Sequence, residues 1–76
     1  MEISKRVAGK FFYTACINMV EFDGSIAHWR ASGHTANPDH RVKAQELFNE
    51  YSRLNYAGVQ AIEVCGEMFT PQELAN

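Results

Sequence analysis

The chain lacks nearly every feature that announces chemistry. Its glycines, Gly9, Gly24, Gly33, Gly58 and Gly66, are scattered, so no phosphate-cradling loop exists. No CxxC or HxxxH pair is present. His28, His34 and His40 stand six apart, a step that puts helical side chains on opposite faces. Zinc needs ligands converging on one point, so no metal and no cofactor are expected. A transmembrane helix needs about 18 or more consecutive apolar residues, and no such run occurs. No Pro/Ser-rich linker, low-complexity tract or internal repeat appears. Lys5, Arg6 and Lys10 precede an apolar stretch, but Thr14 and Asn18 interrupt it and no cleavage site follows. A cytoplasmic protein is the expectation.

Basic charge is also scarce. Seven Lys and Arg stand against nine Asp and Glu, giving a net charge of −2. From residue 59 to 76, Glu63, Glu67 and Glu73 meet no basic residue. Nucleic-acid binders carry a basic patch, so the balance argues against nucleic acid and against an anionic membrane. The two cysteines, Cys16 and Cys65, fall on apolar stripes, where a thiol stays protonated and inert. Glu46 and Glu50 lie one turn apart on a polar face, without the pairing that acid–base catalysis requires. An enzyme is not expected.

What the chain does have is apolar content, 46% of its 76 residues, with 21% charged. This is the composition of one globular domain with a small core. The stretch from Asn37 to Phe69 carries apolar residues at steps of three and four: Ala44, Leu47, Phe48, Tyr51, Leu54, Ala57, Gly58, Ala61, Ile62, Cys65, Met68 and Phe69. Asn37, Pro38 and Asp39 supply a helix start. A competing strand over 59–64 alternates poorly, with Val59, Ala61 and Glu63 on one face. Residues 3–22 also fit a helical stripe through Phe11, Phe12, Ala15, Cys16 and Met19, which leaves Ile17 outside.

The periodicity therefore predicts an all-α fold. Its elements are a helix over 3–22, a short helix over 25–32 and a long helix over 38–69 bent at Gly58. The alternative is an α+β fold with a β-hairpin around Asp23-Gly24, a dipeptide that favours tight hairpin turns. Strand propensity over 11–20 supports that alternative. Thr70-Pro71-Gln72-Glu73 has capping-box spacing and predicts a last helical turn, with Leu74 folding back on the core.

A helix over 38–69 outruns its partner over 3–22 by roughly 18 Å at 1.5 Å per residue. A homodimer would cover the excess, through Leu54, Gly58, Ala61, Ile62 and Cys65. The candidate surface for a different protein is Trp29, Arg30, His34 and Tyr56 with the acidic residues Glu46, Glu50 and Glu63. Trp and Arg concentrate where binding energy does. The function expected is a non-enzymatic interaction protein that binds and modulates or inhibits another protein. Two other readings compete: a small-molecule or nucleotide module at a homodimer interface, built from Tyr13, Trp29, Arg30 and Tyr51, and a DNA-binding regulator whose three helices would form a helix-turn-helix. In size, slight acidity, lack of catalytic motifs and expected compact helical build the chain resembles small phage and prophage accessory proteins. Those include inhibitors of bacterial defence systems such as anti-CRISPR proteins. The resemblance is one of general make-up, covers no alignable segment and carries no residue over.

Overall fold

The computed structural model describes residues 11–75. It corrects the all-α expectation: the described chain is an α+β fold built on an antiparallel sheet. Strand β1 spans Phe11–Val20 and β2 spans Ile26–Thr35. Helix α1 spans His40–Tyr51. Strands β3 (Gly58–Val64) and β4 (Glu67–Phe69) follow, and then helix α2, Pro71–Ala75. The sheet order is β2-β1-β3-β4, every neighbouring pair antiparallel. The helix expected over 25–32 is thus a strand. The helix expected over 3–22 is a strand from Phe11 onward, and its residues 3–10 lie outside the described residues.

The hairpin around Asp23-Gly24 forms. Gly24 N–H donates to the Glu21 carbonyl (2.9 Å), and Glu21 N–H donates to the Ser25 carbonyl (2.8 Å). Gly24 has φ +92°, a left-handed conformation that costs an L side chain about 1–2 kcal/mol. The Asp23 carboxylate accepts from the Ser25 N–H (2.9 Å) and hydroxyl (2.7 Å), fixing the strand's start.

The long helix is cut to twelve residues, His40–Tyr51. Asp39 caps it, accepting the Arg41 N–H at 2.9 Å, while the Asn37 side chain accepts the Asp39 N–H one turn earlier. The helix therefore starts two residues later than the Asn37 cap anticipated. At its end the Ser52 hydroxyl takes the Phe48 carbonyl, and two tighter turns follow. Ala44 and Leu47 are its buried residues.

β3 escaped detection because of a bulge. Asn18 pairs with Ala61, but Met19 pairs with Val59, so Gln60 is an extra residue. The bulge shifts the alternation by one. Val59, Ile62 and Val64 consequently all pack on the core side despite the uneven spacing. The same spacing of three mimics a helical step.

One face of the sheet carries the core. Ala15, Ile17 and Met19 of β1, Ile62 and Val64 of β3 and Phe69 of β4 meet Ala44, Leu47 and Leu74 from the helices. Ile17, which the helical stripe excluded, is fully buried. The capping box at Thr70 is in place: Thr70 N–H donates to the Glu73 carboxylate (2.9 Å) and Glu73 N–H to the Thr70 hydroxyl (3.4 Å). Leu74 does fold back, with 3% of its surface exposed. Among the described residues no helix is long and apolar enough to cross a membrane.

Candidate functional site

The helices lie against one face only, so no described element covers the opposite, open face of the sheet. Side chains alternate along each strand. The partners of Phe12, Thr14, Cys16 and Asn18 on β2 are His34, Ser32, Arg30 and His28. On β3, Cys16 pairs with Glu63 and Asn18 with Ala61, and on β4 Glu63 pairs with Met68. None of these residues is buried. One row, Arg30–Cys16–Glu63–Met68, crosses all four strands. Phe12 (61% exposed) and Met68 (54% exposed) bring large apolar surface to the two sides of this face.

Several contacts stiffen it. Asn18 Oδ1 stands 2.7 Å from His28 Nδ1 and also accepts weakly from the Cys16 thiol at 3.6 Å. The His34 ring meets Phe12 edge-on, centroids 5.4 Å apart. A shallow cleft of about 100 Å³ opens among Thr14, Cys16, Arg30, Glu63 and Cys65. Arg30 and Glu63 lie on strands either side of β1, roughly 10 Å apart at the usual strand spacing. They carry opposite charges on the same face.

The residues singled out from sequence are divided by the sheet. Arg30, His34 and Glu63 share the open face. Trp29 and Tyr56 lie on the helix side at the β2 edge. There Trp29 Nε1 donates to the Tyr56 hydroxyl (3.1 Å), and its ring meets Tyr51 and Tyr56 edge-on at 6.2 and 6.3 Å. Trp29 still keeps 41% of its surface exposed. Glu46 and Glu50 are exposed on α1, with Glu46 paired to Lys43 at 2.8 Å. Arg30 and Trp29 face opposite ways, so the Tyr13, Trp29, Arg30, Tyr51 set does not converge on one ligand.

The residues assigned to a helical dimer interface do not share a surface. Ile62 is fully buried within the single chain, and Ala61 is on the open face. Leu54 is exposed in the loop after α1, Gly58 begins β3, and Cys65 sits in the β3–β4 turn. The face that would unite them belongs to a helix that ends at Tyr51. The helix-turn-helix arrangement falls for the same reason, since the segments expected to form its first two helices are strands.

The thiols are also elsewhere than expected. Cys16 is half-buried on the open face and Cys65 is exposed, both free. Cys65 and Gly66 hold φ +51° and +88°, the paired left-handed geometry of a tight hairpin turn. Among the described residues no three His, Cys, Asp or Glu side chains group as metal ligands. His40 instead contacts Glu67 at 3.1 Å.

Phe12, Cys16 and Met68 were missed as site residues. Their signal was the alternation of Phe12, Thr14, Cys16 and Asn18, which the helical reading placed on two sides. Compared with protein-family models, curated proteins and solved structures, the chain matches none.

Proposed function

We propose that this protein is a small non-enzymatic interaction module that binds another protein through the open face of its sheet and modulates or inhibits it. The observation that carries the reading is the one-sided sheet. A large face bears Phe12 and Met68 beside Arg30, Glu63, His28 and His34, and no described element covers it. Exposed apolar side chains ringed by polar ones are the make-up of protein contact sites. Arg30 and Glu63 add charges of both signs that set orientation and select partners. An inhibitor role accords with the general likeness to small phage and prophage accessory proteins.

The test begins with a partner captured on the immobilised protein, then measured against Phe12→Ala, Arg30→Ala and Met68→Ala. These side chains are exposed, so the variants keep the fold and its circular dichroism. The expected result is at least a tenfold loss of affinity for one or more of them, about 1.4 kcal/mol. Glu46→Ala and Glu50→Ala on α1 leave affinity unchanged. Loss confined to the α1 variants would refute the assignment of the face.

A further inference from the structure

We infer that two copies of this chain join edge to edge through β2, antiparallel, about a twofold axis at Ala31. The two four-stranded sheets thereby become one continuous sheet.

Among the described residues the sheet has two edges, and they are treated differently. β4 is three residues long and runs directly into α2, which packs back on the core through Leu74. β2 is ten residues long and pairs with β1 without a register shift. It contains no Pro, no Lys and no bulge, the devices that ordinarily keep an exposed edge from pairing. Arg30 is its one residue with a fixed charge.

The backbone phase of this edge is set by bonds on the far side of β1. The Val20 carbonyl accepts from Ala57 N–H (2.7 Å) and the Thr14 carbonyl from Cys65 N–H (2.8 Å). Even-numbered residues of β1 thus aim their backbone polar groups at β3. In an antiparallel ladder, directly opposed residues aim theirs either at each other or both away. Val20 pairs with Ile26 and Thr14 with Ser32. The outward-facing groups of β2 therefore belong to Ile26, His28, Arg30, Ser32 and His34.

A second β2 has to bring that same series to meet it. An axis at Arg30 sets two guanidinium groups directly opposite each other, a repulsive pair. An axis at Ser32 shortens the overlap. An axis at Ala31 pairs Arg30 with Ser32 and His28 with His34, all outward-facing, and uses nearly the whole strand. On the helix side it sets Ala31 against Ala31 and Trp29 against Gly33, twice by symmetry.

That last pair is complementary in size. Gly33 has no side chain, and the Tyr13 ring lies 3.5 Å from where a Cβ would stand. Trp29, held by Tyr56 and Tyr51 of its own chain yet 41% exposed, stands opposite that glycine, as aromatic side chains do where they cover an edge glycine. α1 packs chiefly over β3 and reaches β2 where its Tyr51 ring meets Trp29. Both copies' open faces then lie on the same side.

The experiment is sedimentation equilibrium of the full chain and of two variants at Ser32, an exposed position on the open face. The expected wild-type mass is twice that of one chain. Ser32→Lys faces Arg30 of the second copy in both symmetric positions and weakens the dimer about tenfold, while Ser32→Glu tightens it by a similar factor. High salt reduces both effects. A wild-type mass of one chain at hundreds of micromolar overturns the inference. So does a dimer that responds to neither variant, which would place the contact on another surface.

Discussion

Leu74→Ala tests how the last turn of the chain is held. A helix of five residues cannot persist by itself, because nucleation costs more than so few hydrogen bonds return. α2 is instead fastened at three points. Leu74 is buried, the Thr70–Glu73 box closes its start, and Arg41 Nη2 donates to the Glu73 carbonyl at 2.6 Å. Truncating a buried Leu to Ala costs about 2–4 kcal/mol, less where the site collapses. At about 0.05–0.15 kcal/mol per residue, the whole domain holds roughly 4–11 kcal/mol. The substitution therefore removes a large share of total stability. The assay is urea unfolding followed by Trp29 fluorescence and by far-ultraviolet circular dichroism. Thr70→Ala alone costs about 1 kcal/mol as a lost cap. In the Leu74→Ala background it costs nearly nothing, because a released turn has no cap to lose. A Leu74→Ala change under about 1 kcal/mol, or strict additivity of the two substitutions, would refute the picture of α2 as docked by its leucine.

Further outcomes concern backbone and charge. Gly24→Ala, at φ +92°, destabilises by about 1–2 kcal/mol, whereas Gly58→Ala meets no atom within 4 Å and is neutral or gains about 0.5 kcal/mol in the same urea assay. The Ser25 hydroxyl and then its N–H hold the Asp23 carboxyl below its ordinary value of 3.8. Its contribution is present above the unfolded value and fades as pH falls through the folded one. An NMR carboxyl titration shows the depression, and Ser25→Ala reduces it. Burial, then the Glu50 and Tyr13 charges, raise the Tyr51 phenol above 10.0. Tyr51 favours the folded state below the unfolded value and loses that effect as pH rises through its own. Ultraviolet difference titration finds its phenolate late, and Glu50→Gln brings it earlier.

Local punctuation was legible in the sequence, and long-range pairing was not. The Asp23-Gly24 turn, the start near Asn37–Asp39, the Thr70 box and the return of Leu74 each depend on a few neighbouring residues. Those residues suffice to state the chemistry. The choice between helix and strand over 11–20 and 58–64 depends on what lies opposite. Phe11, Phe12, Ala15, Cys16 and Met19 keep helical time, yet Tyr13, Ala15, Ile17 and Met19 keep strand time in the same ten residues. The helical reading left Ile17 over, and Ile17 is fully buried. In β3 the Gln60 bulge erased the alternation that would have marked a strand. The site inherited the error. Trp29 and Arg30 are neighbours on one helical patch but are on opposite faces of a sheet, so a surface assembled around both was divided. Arg30, His34 and Glu63 survived on one face because the strand register brought them there.

The one-sided sheet divides labour within each strand. On β1, Tyr13, Ala15, Ile17 and Met19 hold the fold, while Phe12, Thr14, Cys16 and Asn18 look outward. Mutations at the second set change what the surface meets without opening a cavity beneath it. Two sequence alphabets are interleaved, one constrained by packing and one free of that constraint. A lineage under pressure to follow a changing target could rewrite every other residue and keep the same domain. A binding library could be built on those same outward positions.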